Sequence, residues 1–272
     1  MINITINTYL TFGYLIWVIA YLVTFVALRD RARARTIFRA ALVVLWLIHT
    51  GSILLRWVES YQMGIGHAPL SNLYESLVFF AWSVGLALII VWRKFETDLV
   101  ALLGVPIVFL ILGSTFLIDP GIRPLIPALQ SNWLIAHVFT CFLGYAGFAV
   151  SFVAAILLLI ARSSAKAAQL LPRKALLDDI VYRSILIGFP LLTLGIITGA
   201  AWAEHAWGTY WSWDPKETWS LVTWLVYAGF LHARLSRGWS GGRTALLSVL
   251  GFAAVMFTYF GVNYLPGLHS YF

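Results

Sequence analysis

Residues 99–118 read LVALLGVPIVFLILGSTFLI, with no charged side chain. Wound as an α-helix, twenty residues reach about 30 Å, the hydrocarbon thickness of a bilayer. A membrane-spanning strand would need only about ten residues of alternating polarity, and this run does not alternate. Apolar runs of the same kind lie near 9–28, 37–58, 73–92, 132–160, 180–201, 215–235 and 244–264. The run at 132–160 is too long for one bare span and is expected to project beyond the bilayer at one end. The pattern predicts an all-α, polytopic membrane protein with about eight transmembrane helices, forming a single integral membrane domain over residues 1–272.

Composition points the same way. Of 272 residues, 61% are hydrophobic and 11% charged, and the mean hydropathy is +0.87. A soluble domain carries roughly 25% charged residues to cover its surface. A soluble globular enzyme and a disordered chain are both excluded. The single cysteine, Cys141, excludes an intrachain disulfide, a CxxC redox pair and a Cys-rich metal site.

The net charge of +7 looks like a signal for nucleic acid until its distribution is read. Arg29, Arg31, Arg33, Arg35 and Arg39 follow the first span, and Arg93 and Lys94 the third. Arg162, Lys166, Arg173, Lys174 and Arg183 follow the fifth, and Arg234, Arg237 and Arg243 the seventh. Arg56, Arg123 and Lys216 alone fall on the opposite side. The positive-inside rule puts the large set in the cytoplasm and both termini on the outer side. The basic charge therefore requires no nucleic-acid partner. The arginines follow the first apolar run, so it reads as a span and not as a cleaved signal peptide.

The outer segment between the sixth and seventh spans, Trp202–Trp219, reads WAEHAWGTYWSWDPKETW. Tryptophan favours membrane interfaces, so an aromatic belt is one reading. The crowding of five tryptophans into one segment points further. Asp214, Pro215 and Glu217 have the spacing of a capping box, which can be their whole role. Such a cap would fix the top of the seventh span and aim Trp207, Trp211 and Trp213 as a platform. That platform suits a large, flat, π-rich ligand. Asp214 is also placed to orient an indole N–H or an acidic group of such a ligand. Asn72 and Glu75, before the third span, have similar capping spacing.

Six histidines complete the chemistry. His137 lies one turn into the fifth span and His269 just past the eighth, both on the outer side. Together they could hold haem iron by two imidazoles, or they could be interfacial residues bound to lipid headgroups. Zinc is a weaker alternative, since no HxxxH or HxxE pattern is present. His232 lies roughly 25 Å along the seventh span from Pro215, towards the inner end. His49 reads as a helix–helix hydrogen-bonding residue. His67 and His205 read as structural or gating residues.

The stretch from Trp207 to Trp219, continued by SLVTWLVYAGFLHAR to Arg234, resembles the WWD signature of haem-handling proteins. Within them the nearest resemblance is to the CcsA (ResC) family of type II cytochrome c maturation. HAPLSNLYESL from His67 and GLHSY from Gly267 resemble further stretches of that family. The resemblance covers about residues 40–272. It implies transport of haem b to the outer membrane face and its covalent attachment to an apocytochrome c bearing CxxCH. This would occur within a haem lyase or synthase formed together with CcsB (ResB). By motif position, His137 and His269 correspond to the outer haem ligands and His232 to the transmembrane ligand. Trp207, Trp211, Trp213 and Asp214 would line the haem site. The resemblance also implies that the histidine opposite His232 comes from CcsB, which these 272 residues lack, and a thioredoxin-like thiol reductase is a further partner of such systems. The membrane would be a bacterial plasma membrane or a thylakoid membrane. Two other functions fit parts of the pattern: a CcmC-like haem donor to a chaperone, and a b-type cytochrome subunit for electron transfer.

Overall fold

The structure, a computed structural model, describes residues 2–27 and 31–267. In chain order its α-helices are α1 (Ile2–Ala27), α2 (Arg31–Gln62), α3 (Leu73–Phe95), α4 (Asp98–Ser114), α5 (Asn132–Ser163), α6 (Ala165–Leu170), α7 (Lys174–Trp207), α8 (Pro215–Arg237) and α9 (Gly242–Tyr259). No strand occurs among the described residues. Seven of these helices are long and apolar enough to cross a membrane: α1, α2, α3, α4, α5, α7 and α9. The remaining expected span, α8, is a continuous helix of 23 residues. It falls short in apolarity because polar residues occupy both of its ends, from Lys216 to Ser220 and from His232 to Arg237. The chain is a multi-pass helical membrane protein. Arg29, one of the residues used to orient the spans, lies outside the described residues.

By packing, the chain groups into two compact units, Met1–Ile126 and Pro127–Phe272. In the first unit, α1 to α4 are joined by polar contacts between apolar faces. Trp17 Nε1 donates to the Phe38 carbonyl at 2.8 Å, and Asn7 Nδ2 donates to Tyr74 Oη at 3.0 Å. Trp46 and Trp82 stack at 5.3 Å. His49 is fully buried, with Nδ1 3.5 Å from Tyr14 Oη, the interhelical role expected of it. At one end of the unit, buried Asp98 binds Arg35 and Arg39, each at 2.8 Å.

At the other end, Arg56 is buried with Glu75, and its Nε donates to Oε1 at 2.9 Å. The Arg56 guanidinium also donates to the Pro120 and Gly121 carbonyls, at 2.9 and 3.3 Å. His67 is also buried, and its Nε2 lies 3.0 Å from the Arg123 carbonyl. The irregular segment after α4 is thus tied down at three carbonyls, those of Pro120, Gly121 and Arg123. Within it, the N–H of Gly121 and then the Arg123 guanidinium hold the exposed Asp119 carboxyl below its usual range. The capping expectation at Asn72 is half met. Asn72 accepts the Glu75 N–H at 2.9 Å, but the Glu75 carboxylate reaches Ser71 and Arg56. A buried guanidinium needs a charge partner, and that demand outweighs the local cap.

The second unit is built on an antiparallel pair, α5 and α7. Gly144 and Gly147 of α5 face Gly188 of α7 so closely that a Cβ at Gly144 would lie 3.0 Å from the Gly188 carbonyl. Small residues permit this backbone approach in an apolar solvent that supplies no hydrophobic force between helices. α9 and α8 complete the unit. Tyr227 of α8 stacks on Phe148 at 3.6 Å and fills the space above Gly251. Trp224 Nε1 donates to Thr193 Oγ1 at 2.9 Å.

The Arg56–Glu75 pair makes a direct test of the first unit. Glu75→Ala leaves a buried guanidinium without its carboxylate and is expected to cost about 3–5 kcal/mol. Thermal unfolding in detergent should show a large fall in midpoint, with Glu75→Gln intermediate because it keeps an acceptor.

Candidate functional site

Two ends of the second unit differ sharply in chemistry. At one end Asp178 of α7 accepts from Arg234 of α8 at 2.6 Å and from the Gly241 N–H at 2.7 Å. This end carries the dense basic residues. The opposite end carries His137, the tryptophans and the start of α8.

His137 sits in the second turn of α5, facing α7. Its Nδ1 lies 2.7 Å from the Gly195 carbonyl. A carbonyl can only accept, so Nδ1 carries the hydrogen, and in the neutral imidazole Nε2 then carries the lone pair. Nε2 makes no hydrogen bond to any described residue. The ring lies against Gly199, where a Cβ would come 2.5 Å from Nδ1. It is also nearly parallel to the Trp202 indole, with centroids 6.1 Å apart and planes 14° apart. Trp202 is itself anchored, its Nε1 donating to the Ala128 carbonyl at 2.8 Å. Cys141 is buried one turn below His137, with Sγ against Gly195. It packs the pair.

The tryptophan segment is more helical than expected. α7 continues through Trp207 and stops at Gly208, whose left-handed φ of 76° lets its N–H reach the Glu204 carbonyl at 2.8 Å. Trp202 and His205 are therefore helical residues, and the loop proper spans 208–214. The tryptophans form two edge-to-face pairs, Trp202 with Trp207 at 4.8 Å and Trp211 with Trp213 at 5.7 Å. Trp213 is exposed and holds a left-handed φ of 59°. A bulky residue in that region is strained, a feature that concentrates at functional sites.

Asp214 and Glu217 form the capping box that their spacing predicts. Asp214 Oδ1 accepts the Lys216 N–H at 2.9 Å, and Glu217 Oε2 accepts the Asp214 N–H at 3.2 Å and the Ser212 N–H at 2.7 Å. The backbone of Gly267 passes over this cap so tightly that a Cβ there would lie 2.4 Å from Asp214 Oδ2. Gly267 precedes His269 by two residues. His269 itself lies outside the described residues. His232 faces outward from α8, exposed, with Nδ1 3.5 Å from Ser236 Oγ. Among the described residues no cluster of three His, Cys, Asp or Glu side chains could hold a metal ion by itself.

Residues 70–269 match the family described as cytochrome C assembly protein. The chain belongs to that family. Proteins named cytochrome c biogenesis protein CcsA are similar along most of its length. The relative from Synechococcus sp. (strain CC9605) is 39% identical over 95% of this chain and 94% of its own. One from Prochlorococcus marinus (strain MIT 9301) is 41% identical over 86% and 84%, and one from Guillardia theta is 43% identical over 79% of each. This cytochrome c assembly protein therefore works in cytochrome c biogenesis, and the matched region contains all three singled-out histidines and the whole tryptophan segment.

The residues that seat His137, namely Gly195, Gly199 and Trp202, were not singled out from the sequence. Their signal was present: positions i, i+4 and i+7 place two glycines and an indole on one helical face. What it lacked was the identity of the facing side chain.

The cap makes a sharp prediction. Asp214→Ala should destabilise the start of α8 by about 0.5–2 kcal/mol, whereas Asp214→Asn should come close to the parent because it retains an accepting oxygen. Amide exchange at Lys216 and Glu217 measures the difference.

Proposed function

We propose that the chain carries haem b to the outer membrane face and presents it for attachment to an apocytochrome c. It would do so as one component of a synthase whose other component is a CcsB-like membrane protein. The observation that carries this reading is the state of His137. Its Nδ1–H is held by a backbone carbonyl, its Nε2 is left with a lone pair, and an indole lies parallel to the ring. Metal-bound imidazoles characteristically donate their second nitrogen in this way.

In this reading His137 and His269 ligate the iron from opposite faces of the porphyrin. The tight passage of Gly267 over the Asp214 cap supports the placement of the C-terminal ligand beside the tryptophan end. Trp207, Trp211 and Trp213 provide flat apolar surface for the macrocycle. His232, roughly 25 Å along α8 from Pro215, would receive haem first. Its exposure on α8 supports a second ligand from the partner protein. The basic end would then face the cytoplasm and both termini the outside, in a plasma or thylakoid membrane.

The covalent step needs no nucleophile from this chain. Each CxxCH thiol would add across one haem vinyl group, sulfur bonding to the inner vinyl carbon and the thiol hydrogen ending on the outer one. No net oxidation occurs, so the thiols must arrive reduced, which a thioredoxin-like reductase would secure. The histidine of the CxxCH segment would replace one outer ligand. This protein's share of the work is positioning and control of haem electronics. His49 takes no part, because its ring is enclosed within its own unit and offers no face to a porphyrin.

The test is holocytochrome c formation in cells supplying the partner protein. His137→Ala and His269→Ala should each abolish it, with partial recovery on addition of imidazole. His232→Ala should lower the haem content of the purified complex. Normal maturation in all three variants overturns the reading.

A further inference from the structure

We infer that Gly199, together with the Gly195 carbonyl, is the positioning element for His137: α7 selects which ring nitrogen meets the iron and fixes where it points. The inference rests on the haem-ligand reading of His137 and goes beyond it, to residues that touch no haem.

Three constraints on the ring converge from one face of α7. The Gly195 carbonyl takes the Nδ1 hydrogen at 2.7 Å and so fixes the tautomer. Gly199, one turn further along, is bare where the ring lies. A methyl group there would come 2.5 Å from Nδ1 and 2.8 Å from Cε1, closer than real side chains tolerate. Trp202, on the same face, lies parallel to the ring and is held by its own hydrogen bond to Ala128. The three atoms nearest the added methyl all belong to the imidazole, so the ring is what has to move. A Cβ at Gly199 must push the ring off the Gly195 carbonyl.

The consequence is electronic as well as geometric. An Nδ1–H held by a carbonyl makes Nε2 a stronger donor to iron, and loss of such a partner commonly weakens metal binding by about 10–100-fold. Other glycines on the α5–α7 pair have a different task. A Cβ at Gly144 would meet the Gly188 carbonyl and the Leu192 nitrogen at 3.0 Å, which are backbone atoms with no ligand nearby. Gly144→Ala therefore strains the same helix pair without touching His137.

The experiment compares the purified complex, loaded with haem, for the parent, Gly199→Ala, Gly144→Ala and His137→Ala. Gly199→Ala should lose the low-spin outer-site spectrum and about 10–100-fold in haem affinity. It should also shift the reduction potential of whatever haem remains. Exogenous imidazole should restore the low-spin spectrum, as it does for His137→Ala. Gly144→Ala should lower thermal stability, keep the low-spin spectrum and show no response to imidazole. A double-mutant comparison covers the case in which Gly199→Ala folds poorly. In a His137→Ala background the ring is gone, so Gly199→Ala should then cost almost no stability. The inference is overturned if Gly199→Ala is as damaging without His137 as with it, or if imidazole fails to restore its spectrum. An unchanged spectrum in His137→Ala itself would instead remove the haem-ligand reading, and the inference with it.

Discussion

The close approach of α5 and α7 at Gly195 and Gly199 is the constraint on which the candidate site depends. In a lipid environment, two helices gain nothing by hiding apolar side chains from each other, so they associate where backbones can come into contact. Gly144, Gly147 and Gly188 supply that contact in the body of the pair. Gly195 and Gly199 continue it to the tryptophan-bearing end, where the space left by absent side chains is filled by Cys141 and the His137 ring. The same packing that joins the helices thus turns a backbone carbonyl toward an imidazole. A polar group placed inside a span needs such a partner, and here the partner also decides which nitrogen stays available.

Charge is handled differently in the two units. In the first, Arg56 and Glu75 are buried together, and the guanidinium spends its remaining donors on the carbonyls of the segment after α4. An ion pair of this kind contributes little net stability over an apolar replacement, but losing one partner is costly. It fixes the path of a segment that has no regular secondary structure. In the second unit, Asp178 gathers Arg234 and the turn before α9 at the basic end. Asp214 and Glu217 cap α8 at the other end. The helix bearing His232 is thus secured at both ends, while His232 itself stays exposed.

Much of this was legible in the sequence, and the parts that were not share a cause. Hydropathy located the spans because twenty apolar residues have few alternatives to a membrane helix. The Asp214 capping box was legible because it is closed by residues three apart. Its relative at Asn72 was read only in part, since the Glu75 carboxylate answers a buried arginine from another helix. The extension of α7 to Trp207 was hidden because the tryptophan segment reads as interfacial whether helical or not. The seat of His137 was hidden for the same reason as Glu75: a glycine reports that space is needed, but only the folded pair shows what occupies it. Family resemblance singled out His137, and the structure adds which atom of it is free to bind.

The most direct measurement of that claim is pulsed electron paramagnetic resonance on ferric haem held at the outer site. The protein would carry histidine labelled with ¹⁵N at either Nε2 or Nδ1, in the His232→Ala, His269→Ala background with unlabelled imidazole as the second ligand. Strong iron coupling to the Nε2 label and weak coupling to the Nδ1 label are expected. Strong coupling to Nδ1, or no coupling to any protein nitrogen, would contradict it.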